Sequence, residues 1–149
     1  CALQALGSPA PAGQARRSVV GWDGSRLAMI LAVLEARCGI PFAGLDVYLN
    51  VAGGLRVSEP AADLAVAAAL LSAREDVALP KGTVVFGEIS LSGHVRPVGQ
   101  TETRLNEAQK LGFEQAILPE RSKTGAVKGV RTQKMSDLAS LVGDIFGAG

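Results

Sequence analysis

The chain predicts an α/β domain in which helices cover a mixed sheet, and three observations carry that prediction. Thr83 to Glu120 reads as a βαβ unit. Ala61 to Leu71 is apolar nearly all round, so as a helix it has to be buried on most sides and lie at the centre of the domain. Finally, hydrophobic residues make up 48% of the 149 but aromatic ones only 4%, so the core is built from Ala, Val, Leu and Ile packed closely around 18 glycines.

Within the βαβ unit, Thr83 to Ser90 carries Val84, Val85, Phe86 and Ile89, a short apolar run with the β-branched content of a buried strand. Ser92 and Gly93 supply hairpin chemistry, and His94 to Val98 runs back, with Pro97 confining it to an edge or a very short pairing. A helix of about eleven residues follows from Thr101, with Leu105, Ala108 and Leu111 on one stripe and Glu102, Glu107 and Lys110 facing elsewhere. Gly112 ends it. Gln115 to Leu118 is a second strand, stopped by Pro119, and the connection between the two parallel strands is expected to be right-handed.

Upstream, Cys1 to Leu6 and Arg17 to Val20 read as two strands joined through the Gly/Pro-rich residues 7 to 13, as an edge hairpin. Asp23 or Ser25 caps a helix running to about Arg37, with Leu27, Ile30, Leu31 and Leu34 buried, Arg26, Glu35 and Arg37 exposed, and Gly39 as its stop. Leu45 to Val51 alternates apolar and polar residues like a half-buried strand. Ser58 is placed as the N-cap of the central helix, with Pro60 near its first position and Asp63 in a first turn whose dipole favours an acid. Gly129 to Gln133 forms a last strand, and Ser136 to Phe146 a final helix with Leu138, Leu141, Val142 and Ile145 inward.

This length suits one domain. A formal net charge of +1 argues against a globally basic nucleic-acid binder and leaves local patches to consider. Two cysteines, Cys1 and Cys38, are too few for a disulfide framework or a zinc site and agree with a reducing, cytoplasmic setting. No apolar run reaches the ~18–20 residues of a membrane span. The chain opens in strand-like sequence, as expected of a piece of a longer protein.

Two stretches carry more than fold information. VAGGLRVSEPAADLAVAAALLSA at 51 to 73 and GEISLSGHVRPVGQTETRLNEAQKLGFEQAILPE at 87 to 120 together resemble the proteolytic domain of the Lon peptidase family. The resemblance implies the Lon-proteolytic-domain, ribosomal S5 domain 2-like fold. That family sets a nucleophilic serine at the opening of a buried helix and a lysine at the start of the helix after the GxVxP stretch, where a desolvated, neutral lysine can take the serine's proton. Ala61 occupies the serine position here and Glu102 the lysine position. A methyl group cannot attack a carbonyl, so both catalytic positions read as degenerate, and no catalytic residue is assigned. A rescue by Ser58 with Lys81 would need another geometry.

NVAGG, EPAADLA, GEISLSG and RPV in this order are similar to the C-terminal Lon-like domain of the bacterial RadA (Sms) DNA-repair family, and the likeness runs through the opening residues as well. It implies a parent protein with a zinc-binding motif and a RecA-like ATPase core, using ATP, Mg2+ and Zn2+, assembled as a hexameric motor on single-stranded or branched DNA beside a RecA-type recombinase. No ATP-binding GxxxxGK[ST] loop and no C-x-x-C pair lie in this chain, so the domain itself is expected to hold no cofactor and no metal. The expected function is a non-catalytic scaffold that supports the ring and touches DNA. The alternatives are a working Ser-Lys peptidase, and the N-terminal domain of a ComM-like AAA+ protein, which shares GEISLSG and RPV but fits EPAAD less well.

Candidate DNA-contacting residues are Arg16, Arg17 and Arg26, which could project together, and Lys123, Lys128 and Arg131 from the window 121 to 134, which has five basic residues and no acid. A solvated face is the plainer reading of either patch. His94, the single histidine, reads as a turn residue, since one imidazole without companions makes a poor metal site.

Overall fold

The computed structural model describes residues 2–9, 17–20, 24–41, 45–52, 62–80, 82–122 and 127–146. They form a small α/β domain of four helices and three sheets. The first sheet has β1 (Ala2–Pro9), β3 (Leu45–Ala52) and β2 (Arg17–Val20) in the order β1-β3-β2. β1 runs antiparallel to β3, with Ala5 opposite Leu49, and β2 runs parallel to it, with Val19 opposite Leu49. This overturns the expected hairpin between the first two strands. The Gly/Pro-rich stretch expected to turn is strand as far as Pro9, and the eight-residue β3 takes the place between β1 and β2.

α1 (Gly24–Cys38) buries Leu27, Ile30, Leu31 and Leu34 as its period requires, and Val33 with them. It ends at Gly39, whose φ of +67° lets its N–H return to the Glu35 carbonyl at 3.1 Å. α2 (Asp63–Glu75) is the predicted central helix. Leu64, Val66, Ala67, Ala68, Leu70 and Leu71 are all buried, and it touches β1, α1 and α4 (Leu138–Phe146).

The second sheet is parallel throughout. β4 (Thr83–Val85), β7 (Gln115–Pro119) and β8 (Arg131–Met135) lie in that order, with Val84 opposite Ala116 and Ile117 opposite Gln133. α3 (Thr101–Lys110) connects β4 to β7 in the chain, together with β5 (Glu88–Ile89) and β6 (Val95–Arg96), which pair with each other. β7 is covered on both faces. Ala116 and Leu118 join Phe86, Leu105 and Val130 in one apolar cluster, whereas Ile117 joins the larger cluster of α1, α2 and α4. Each leucine so buried contributes about 1.5–3 kcal/mol.

Three expectations for the βαβ unit need correction. The strand read as Thr83 to Ser90 is two strands, broken at Phe86 and Gly87. Gly87 has φ +157°, and a Cβ there would stand 3.1 Å from Val95 Cγ1 and 3.2 Å from Leu64 Cδ2, so the chain turns where it is pressed against α2. Leu111 is not on the buried stripe; it lies beyond the last turn of α3 and is 72% exposed. Pro119 is the last residue of β7 rather than the residue that stops it.

Candidate functional site

The start of α2 is where the sequence places the altered catalytic position, and a buried charge organises it. Asp63, the first residue of α2, is 0% exposed. Its Oδ1 accepts from Arg26 Nε at 2.8 Å, its Oδ2 accepts from Arg26 Nη2, and Oδ2 also takes the Ile89 N–H at 3.0 Å. A fork of guanidinium donors matched to both carboxylate oxygens is the strong form of an ion pair. One carboxylate thereby ties the first turn of α1, the start of α2 and β5 together. The next N–H of α2, that of Leu64, donates to the Gly87 carbonyl at 3.0 Å, so a helix end left without a side-chain cap is satisfied by backbone.

The helical period puts Arg26 on the exposed face of α1 and makes it a candidate DNA contact. Its guanidinium pairs with the buried Asp63 while its side chain stays 25% exposed, and β5, which shares that carboxylate, is more than sixty residues away in sequence. The only sequence signal for it is an acid at the first turn of an otherwise apolar helix. With both oxygens engaged, Asp63 holds these elements in register.

Ser58, Ala61 and Lys81 lie outside the described residues, as do Arg16, Lys123 and the side chain of Arg17; the backbone of Arg17 stands in β2 opposite Val47. Glu102 is exposed in the first turn of α3, where an acid suits the dipole. Ahead of it, Gln100 is left-handed at φ +60°, and the buried Thr101 donates its hydroxyl to the Val98 carbonyl at 3.2 Å.

Part of the basic window is exposed at and beside β8. Arg121, Lys128, Arg131 and Lys134 are all exposed, and β8 shows Arg131, Thr132, Gln133 and Lys134 to solvent before Met135 turns inward. Lys128 precedes the left-handed Gly129 that leads into this strand.

A second polar cluster, which no motif in the sequence announces, joins the β5–β6 hairpin to α4. Ser92 Oγ lies 2.8 Å from His94 Nδ1 and 2.9 Å from Ser90 Oγ, and His94 pairs through its backbone with Asp137. Asp137 Oδ1 accepts from both the Ser140 N–H and the Ser140 hydroxyl at 2.8 Å, an N-cap for α4 that D-x-x-S could have signalled. The Ser140 N–H, then its hydroxyl, and then the charge of His94 hold the Asp137 carboxyl below its ordinary value against some burial. Burial, and then the Asp137 charge, push the Cys38 thiol up. Among the described residues no group of three or more His, Cys, Asp or Glu could hold a metal ion, and no helix is long and apolar enough to cross a membrane.

Fold and site thus define a small α/β domain with a parallel sheet whose buried helix is fastened by an ion pair. The chain belongs to the family described as subunit ChlI of Mg-chelatase, whose model matches residues 24–122. It is 56% identical over 148 residues to DNA repair protein RadA of Brucella abortus (strain 2308), covering 99% of this chain and 32% of that protein. It is 52% identical over 123 residues to DNA repair protein RadA of Synechocystis sp., covering 83% of this chain and 24% of that protein. With DNA repair protein RadA of Mycolicibacterium smegmatis it shares 44% identity over 140 residues, 94% of this chain and 30% of the relative. The chain therefore spans about a third or less of the length of these relatives.

Proposed function

We propose that this chain is the non-catalytic, Lon-peptidase-type domain of a RadA-type DNA repair and recombination motor, with a ribosomal S5 domain 2-like fold, and that it supports a hexameric ring and contacts DNA. The observation that carries this reading is the 56% identity maintained over 99% of the chain to a protein named for DNA repair. Two further facts support it. Ala61 and Glu102 stand where the peptidase chemistry needs a hydroxyl and an amine. An exposed border bearing Lys128 and Arg131 without an acid on the strand itself suits phosphate contact of the positioning, sequence-independent kind. ATP, Mg2+ and Zn2+, and the encounter with a RecA-type recombinase, belong in this reading to the rest of the parent protein, in the cytoplasm.

The test uses the full-length protein. Replacing Lys128 and Arg131 together by Ala lowers the slope of log affinity against log salt for single-stranded DNA by about 1.4, roughly 0.7 for each phosphate no longer neutralised. An unchanged slope removes both residues from the DNA surface. Deleting residues 1–149 shifts the mass of the assembly below that of the ring; an intact ring without them sinks the scaffold role. A fluorogenic peptide stays uncleaved by the natural protein, and cleavage that is abolished by Ser58→Ala would restore the peptidase reading.

A further inference from the structure

The outer border of β8 is half closed by the protein and half open. Arg131 donates its N–H to the Glu114 carbonyl at 2.9 Å, and the Met135 carbonyl accepts from the Glu120 N–H at 2.8 Å. In a parallel ladder alternate residues bond to the same neighbour, so Arg131, Gln133 and Met135 face β7, and Thr132, Lys134 and Ser136 direct N–H and C=O the other way. At Ser136 that outer side is occupied: its carbonyl accepts from the Val95 N–H at 3.0 Å, and Asp137 pairs with His94 in antiparallel sense. At Thr132 and Lys134 β8 ends its sheet, and among the described residues none bonds to their backbone on that side. The β5–β6 hairpin thus begins a fourth strand position that it does not fill.

We propose that this open position takes an extended acidic peptide segment of a partner protein, added as a strand beside β8. Thr132 and Lys134 offer two outward N–H groups and two outward carbonyls. A peptide strand satisfies both kinds, whereas a nucleic-acid phosphate accepts only and would leave the carbonyls without donors. The side chains choose the sign of the partner. Arg131 and Lys134 are exposed on opposite faces of the strand, and β8 carries no acid, so glutamates or aspartates on either face of an incoming strand meet a cation. A second copy of β8 would set like charges across the pair, which is how basic edge strands discourage self-association.

The experiment measures binding of a fluorescein-labelled peptide alternating valine and glutamate to the full-length protein by anisotropy, with a valine–lysine peptide and a single-stranded oligonucleotide as comparisons. The acidic peptide binds and the basic one does not. Lys134→Glu weakens binding about tenfold, the scale of one cross-strand charge pair reversed in sign. Thr132→Pro removes an outward N–H without touching a bond to β7, and it lowers affinity by about the same factor, one hydrogen bond's worth. Thr132→Val leaves binding unchanged and shows that position 132 tolerates substitution. If Thr132→Pro, folded by its unfolding midpoint, binds the peptide as well as the natural protein does, attraction is by charge alone and strand addition is wrong. Displacement of the peptide by the oligonucleotide, with Thr132→Pro binding both normally, overturns the proposal in favour of a nucleic-acid surface. A lowered salt slope of DNA binding in Lys128→Ala, at a residue outside β8, with peptide binding unchanged, separates this inference from the DNA reading.

Discussion

Arg26 and Arg131 are the same residue type put to opposite uses. Arg26 closes on a carboxylate that is wholly buried, and its charge fixes three segments of backbone. Arg131 stands in solvent on a border strand, with its backbone paired to β7. The difference lies in what removing each leaves behind. Without Arg26 a carboxylate is stranded in the core; without Arg131 nothing buried loses a partner.

The largest expected effect follows from that contrast. Arg26→Ala destabilises the domain by about 3–5 kcal/mol in urea unfolding, the cost of a buried charge whose partner is gone. The double replacement Arg26→Met with Asp63→Leu recovers most of the loss, and a double variant as unstable as the single one would mean the pair acts through something other than its charges. Next comes Gly87→Ala. The added methyl meets Val95, Leu64 and Pro119 at 3.1 to 3.2 Å on a backbone that L residues rarely adopt, and about 1–3 kcal/mol is lost. The unfolding midpoint reports it directly.

Asp137 lies between the two extremes. Asp137→Ala, which removes the cap of α4, costs about 1 kcal/mol. The same carboxyl gives a pH signature. Because its value is held low in the folded protein, the stability it contributes is present above the ordinary carboxylate range and is lost as pH falls through that range toward the folded value. Asp137→Asn still caps but does not titrate, so its stability deficit relative to the natural protein should be larger near neutrality than in acid. A deficit that did not change with pH would show that the Ser140 and His94 interactions are not felt in solution. Smallest of all, Arg131→Ala alters stability by no more than about 0.5 kcal/mol, as expected of a surface residue with no buried partner. Under the proposed DNA contact, its effect falls on the salt dependence of binding.

Local pattern carried much of the fold. The apolar stripe of α1 and its stop at Gly39 were legible because a helix buries residues at its own period and ends where a left-handed residue is tolerated. The buried character of α2 and the strand at Gln115 were legible for similar reasons. The candidate site was far less so. Ala61 and Glu102 were singled out by resemblance alone, and the Ser92, His94 and Asp137 grouping joins residues over forty positions apart. The break at Gly87 was hidden because an apolar run says that a segment is buried and not which neighbour presses on it.

By itself the sequence determined where the helices and most of the strands lie, though not their ends, that α2 lies inside, and that the residues around β8 are basic in a chain with a net charge of only +1. Only the tertiary structure decided that β3 separates β1 from β2, that Arg26 pairs with the buried Asp63, and that β8 is a border half closed by the β5–β6 hairpin. The physical reason is range. Propensity and periodicity act over one or two turns, whereas strand neighbours and ion-pair partners are chosen by whichever distant segments can satisfy a backbone or a buried charge once the core has closed.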